Sequence, residues 1–123
     1  MTTYRDDWTS DRLPKWLPHV QHLVNRQANA LEIGAFEGRS TRWMIENILK
    51  CPNSLIVCLD PFCENDKFER HIDYLPRFVE NTKPYRDMIR IVQSFSQDIL
   101  PETLLDFVSG KFDLVYVDGS HET

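Results

Sequence analysis

The run Leu31-Glu32-Ile33-Gly34-Ala35-Phe36-Glu37-Gly38-Arg39-Ser40-Thr41 joins an apolar start to two glycines and two hydroxyls. A strand that turns sharply into a helix at such a run leaves backbone N–H groups unpaired beside the positive end of the helix dipole. Glycine at 34 and 38 permits a positive φ and lets a ligand approach the backbone closely. Ser40 or Thr41 can cap the helix or donate to a carboxylate. The apolar run Leu55–Leu59 ends in Asp60, roughly twenty residues past the second glycine, where nucleotide-binding folds place the acid that holds ribose hydroxyls. The alternative makes Asp60 a turn residue before Pro61. Near the end of the chain Asp118 is followed by His121, whose side chain titrates near neutral pH and is a candidate general base. A surface role for His121 stays open.

These residues need elements to hold them. Residues 1–12 are polar and read as a mobile lead-in, leaving 13–123 as one domain. From Pro14, apolar residues at Trp16, Leu17, Val20, Leu23 and Val24 fall at helical spacing. This helix covers one face of a sheet, or else Trp8 or Trp16 shapes a substrate pocket. Arg42–Lys50 reads as a second helix, and Ser54–Leu59 as a second strand after Ala30–Ile33. Phe62–Phe68 is charged and irregular. Ile72, Leu75, Phe78 and Val79 suggest a helix, with Pro76 in its first turn or breaking it. Met88–Val92 is a third strand, Ser94–Gln97 a polar loop, and Pro101 starts a helix that Gly110 stops. Phe112–Val117 is a fourth strand.

Four strands alternating with helices imply parallel βαβ units with right-handed crossovers and ligands beyond the carboxyl ends of the strands. Those ends carry Gly34–Ser40, Asp60, Ser94–Gln97 and Asp118–Glu122. The expected architecture is α/β: a Rossmann-like parallel sheet of about four strands with helices on both faces.

The spacing Glu32-x-Gly34-x-x-x-Gly38 lacks the middle glycine, at position 36, that a pyrophosphate would need. It resembles the motif of the class I S-adenosylmethionine-dependent methyltransferases. Ile91-Val92-Gln93-Ser94-Phe95-Ser96-Gln97-Asp98-Ile99-Leu100-Pro101, followed by Phe112-Asp113-Leu114-Val115-Tyr116-Val117-Asp118, is similar to the catechol-type small-molecule O-methyltransferases. The ending Val-Asp-Gly-Ser-His resembles a related group with loosely defined substrates. The resemblance implies that Gly34, Ala35, Phe36, Gly38 and Ser40 surround the methionine end of S-adenosylmethionine, with Glu32 close behind. It implies that Asp60 takes the ribose hydroxyls and that Ser96 and Gln97 border the adenine. Asp118 would face the amino group of the cofactor and, with His121, form the catalytic pair. Metal-using relatives complete a Mg²⁺ site after a fifth strand, so no metal ligands are assigned here, and Mg²⁺ is expected only where further segments supply them. The family fold has seven strands in the order 3-2-1-4-5-7-6, so the resemblance implies that the chain is its cofactor-binding part, with strands ordered 3-2-1-4 and strand four an exposed edge open to self-association.

Composition narrows the classes. In 123 residues, 19 acidic side chains outnumber 14 basic ones, and no basic run favours a nucleic-acid backbone. No apolar stretch approaches ~18 residues, and the N-terminus has no apolar signal core, so neither a membrane nor secretion is expected. Cys51, Cys58 and Cys63 form no Cys-x-x-Cys pair, in keeping with a reducing, cytoplasmic setting. Three functions remain in view. The leading one is an S-adenosylmethionine-dependent enzyme that methylates an oxygen of a small molecule. The second is a partial or inactive cofactor-binding module that needs its missing half or a partner. The third is a nicotinamide-dependent oxidoreductase with an altered loop.

Overall fold

The computed structural model describes Lys15 and residues 17–65, 71–108 and 110–117. Its sheet contains β1 (Asn29–Ile33), β2 (Leu55–Asp60), β5 (Ile89–Gln93) and β6 (Leu114–Val117). The order is β5-β2-β1-β6, and all three pairings are parallel. In the numbering of the sequence reading this is 3-2-1-4, as expected. The two central strands are apolar because both of their faces are covered. Ala30, Ile56, Cys58 and Tyr116 pack with Leu23, Met44, Ile45, Ile48 and Phe78. Leu31, Val57 and Leu59 turn the opposite way and pack with Leu104. The first face therefore carries α1 (Leu17–Val20), α2 (Arg39–Asn47) and α3 (Leu75–Thr82), and the second carries α4 (Pro101–Leu105). Helices lie on both faces. At the open edge of β6, Val115 and Val117 remain exposed.

Several boundaries differ from the sequence reading. The first helix is a single turn followed by a 3₁₀ turn over Gln21–Leu23, with only Leu23 of these residues buried. Helix α2 starts at Arg39, three residues earlier than its apolar spacing suggests, because Gly38 at φ 94° turns the chain directly into it. Pro76 occupies the first turn of α3, where no N–H is needed, and so does not break it. The irregular stretch after Asp60 contains an antiparallel pair instead of plain loop: β3 (Cys63–Asn65) with β4 (His71–Asp73). Ile72 accordingly belongs to β4 and not to α3. The lead-in 1–12, Trp8 and Trp16 lie outside the described residues. No helix among the described residues is long and apolar enough to cross a membrane.

Asp113 ties the edge strand to the centre. Its N–H donates to the Asn29 carbonyl at 2.7 Å, and its carboxylate accepts the Asn29 N–H at 2.9 Å and Arg26 at 2.6 Å. The Asn29 amide first, then Arg26 and Lys111, hold the Asp113 carboxyl below its ordinary value. A carboxyl lowered on folding adds stability that is present above the unfolded value and is lost as pH falls through the folded one. Asp113→Asn should therefore cost about 1–2 kcal/mol near neutral pH, and much less in acid, once the pH has fallen through the folded value of Asp113. Urea unfolding of both proteins at the two pH values measures this, and a pH-independent difference would remove the carboxylate's charge from the account.

Candidate functional site

The parallel sheet brings the C-terminal ends of its strands to one side, and two bonds extend the ladder beyond them. Gly34 N–H donates to the Leu59 carbonyl at 2.9 Å, and Ser94 N–H donates to the Asp60 carbonyl at 3.1 Å. The glycine loop after β1, Asp60 at the tip of β2 and the Ser96–Asp98 turn after β5 thus share one edge. Ser96 and Gln97 are exposed there. Val117 ends β6 opposite Ile33. Asp118 and His121 lie outside the described residues.

Both glycines use the freedom expected of them: φ is 92° at Gly34 and 94° at Gly38. Phe36, between them, also has positive φ, at 53°. Its N–H donates to Asp60 Oδ2 at 3.0 Å, so strand tip and loop are joined directly. Asp60 Oδ1 accepts the Phe62 N–H at 2.6 Å. Each carboxylate oxygen can accept about two hydrogen bonds, so a lone-pair direction on each is left for another donor. Asp60 is only partly buried.

Glu32, Ser40 and Ala35 sit behind the loop. Glu32 is fully buried, with its carboxylate accepting hydrogen bonds from the hydroxyls of Ser40 and Thr41. The carboxylate to which these hydroxyls donate is thus one of the protein's own. Ala35 is buried in the core. Phe36 and Gly38 line the turn itself, with Phe36 half-buried.

Cys58 lies in the same pocket of polar groups, its Sγ 3.8 Å from Glu32 Oε1 and 4.0 Å from Thr41 Oγ1. Burial first, then the Glu32 charge, pushes its thiol well above the ordinary range. The thiolate is the reactive form, so Cys58 should resist iodoacetamide in the folded protein and react only on unfolding. Mass spectrometry of native and urea-treated samples would show it. Modification of Cys58 as fast as partly exposed Cys51 and Cys63 would contradict the closed pocket.

The sequence reading missed how α3 grips the loop. Glu37 turns inward and its carboxylate accepts Arg77 Nη1 at 2.9 Å, while its carbonyl accepts Asn81 Nδ2 at 3.0 Å. The rings of Phe36 and Tyr74 meet at 4.4 Å. A charged residue between two loop glycines was the available signal, but its partner lies 40 residues away.

A family model described as "Methyltransferase domain" matches residues 31–123, starting at the strand that leads into this loop. The chain belongs to the methyltransferase domain family. No curated protein matches it. Solved methyltransferases share the fold of this domain. A protein-L-isoaspartate O-methyltransferase aligns with TM-score 0.58 at 14% identity, covering 95% of this chain and 33% of its own. A protein from Galdieria sulphuraria assigned as a sarcosine dimethylglycine methyltransferase gives 0.56 at 18% identity, covering 97% and 42%. One from Thermoplasma acidophilum assigned as a methyltransferase gives 0.51 at 14%, covering 96% and 41%. The chain thus spans between a third and about two-fifths of the length of these solved methyltransferases.

Proposed function

We propose that this domain binds S-adenosylmethionine and serves methyl transfer to an oxygen of a small molecule. The reading is carried by the meeting of Asp60 and the glycine loop at one edge, with the Asp60 carboxylate 3.0 Å from the Phe36 amide nitrogen. The lone pairs left on Asp60 suit a ribose diol. Position 36 carries phenylalanine instead of the glycine that a dinucleotide's pyrophosphate would need, which favours a ligand whose small end is an amino acid.

S-adenosylmethionine, when bound, supplies an electrophilic methyl group. This chain's residues would bind and orient: Asp60 the ribose, the 34–38 loop the methionine end, Ser96 and Gln97 the adenine border. Asp118 follows β6 in sequence and is assigned to the cofactor's amino group. His121 is assigned the proton of the acceptor hydroxyl, as general base. Holding the acceptor and methyl in line would supply much of the rate.

A second reading follows from the chain's share of its relatives' length. It makes this domain the cofactor-binding part, with acceptor binding supplied by further segments or by a second copy pairing along β6. The three free cysteines fit a reducing, cytoplasmic setting. Calorimetric titration with S-adenosylhomocysteine and with NAD tests the cofactor. Binding of the first alone is expected, and binding of NAD alone would overturn the proposal.

A further inference from the structure

Phe36 and Phe62, at φ 53° and 59°, both occupy the left-handed region that a side chain with a Cβ disfavours. Such conformations persist where the surroundings over-determine them. Here both amides donate to one carboxylate, that of Asp60, Phe36 to Oδ2 and Phe62 to Oδ1. The Phe62 bond is local, two residues on, and is closed by a Tyr74 N–H that donates to the Phe62 carbonyl at 2.6 Å. The Phe62 ring is fixed against Phe78 at 4.9 Å. The Phe36 bond is of another kind, since it reaches across 24 residues into the glycine loop.

We propose that Asp60 is a positioning residue for the glycine loop: it holds Phe36 left-handed, and through Phe36 sets the path of the backbone between Gly34 and Gly38. Loop shape and ribose recognition then run through one carboxylate. The binding part of this inference rests on the cofactor reading above. The conformational part stands without it.

Asp60→Asn separates the two roles. An asparagine keeps one oxygen for the local Phe62 bond, but its amide NH₂ then faces the Phe36 N–H, donor against donor. Amide hydrogen exchange by NMR on the ligand-free protein should show Phe36 losing its protection while Val57 in the sheet keeps its own. Binding is then read with S-adenosylhomocysteine lacking both ribose hydroxyls. A residue that only holds the ribose cannot affect this 2′,3′-dideoxy analogue. Asp60→Asn is expected to weaken it roughly tenfold, the scale of one left-handed residue losing its anchor. In a Phe36→Gly background, where the left-handed conformation needs no anchor, Asp60→Asn should make no further difference.

Unchanged Phe36 protection together with equal binding of the analogue by parent and variant would overturn the proposal. If S-adenosylhomocysteine fails to bind the parent, the cofactor reading falls and amide exchange alone decides the inference. If Asp60→Asn does not fold, the Phe36→Gly/Asp60→Asn pair decides it: recovered folding supports the proposal, and continued failure overturns it.

Discussion

Replacing Gly38 by alanine should leave the domain about 2–5 kcal/mol less stable and lower its unfolding midpoint by roughly 10 °C or more. Two effects add. Gly38 has φ 94°, where an L side chain is strained by about 1–2 kcal/mol. The new Cβ would also lie 2.8 Å from Thr82 Cγ2 and 3.3 Å from Phe78 Cδ2. Neither neighbour can swing away, because both are buried on α3, and overpacking of this kind costs about 1–3 kcal/mol. Gly110→Ala is the matched control. Gly110 also has positive φ, 109°, but a Cβ there meets nothing within 4 Å. Only the backbone cost remains, so Gly110→Ala should lose about 1–2 kcal/mol. Thermal unfolding of both variants compares them directly. Equal losses would mean that α3 does not press on the loop.

Glu32→Ala should be as damaging, at about 3–5 kcal/mol, for a different reason. The Ser40 and Thr41 hydroxyls donate to the Glu32 carboxylate in a pocket closed to solvent. Removing the acceptor strands two buried donors, at about 1–3 kcal/mol each, and leaves a cavity besides. Glu32→Gln keeps the shape and one carbonyl oxygen. A hydroxyl can rotate to accept from the new NH₂ group, so this variant should lose only about 1 kcal/mol. Urea unfolding of the pair gives the contrast. A Gln variant as unstable as the Ala variant would show that the charge matters more than the hydrogen bonds.

The sheet was legible because buried parallel strands are written as apolar runs. Leu55–Leu59 and Ala30–Ile33 stand out from polar flanks, and alternation with helices makes the sheet parallel, while the order 3-2-1-4 is the one the family resemblance implies. The β3–β4 pair was not legible. Its strands are three residues each, mostly polar, and it is held by Tyr74 N–H bonding back to Phe62, a contact that no periodicity encodes. Asp60 stands out by position, because strand tips are where an acid can meet a ligand. Its bond to Phe36 does not, since it depends on a left-handed phenylalanine that composition does not announce. The same holds for Glu32. Its hydrogen bonds with Ser40 and Thr41 form only once the loop folds those hydroxyls back over the strand.

The grip of α3 on the loop bears on how the native state opens. Glu37 with Arg77, the Glu37 carbonyl with Asn81, and Gly38 against Phe78 and Thr82 link two segments some 40 residues apart. Lifting the loop away from the sheet would expose the buried Glu37 carboxylate and uncover the Phe78 ring together. The loop and α3 are therefore expected to open as one cooperative unit, which amide exchange would show as a common opening free energy. A ligand that orders the loop would slow exchange in α3 as well, without touching it.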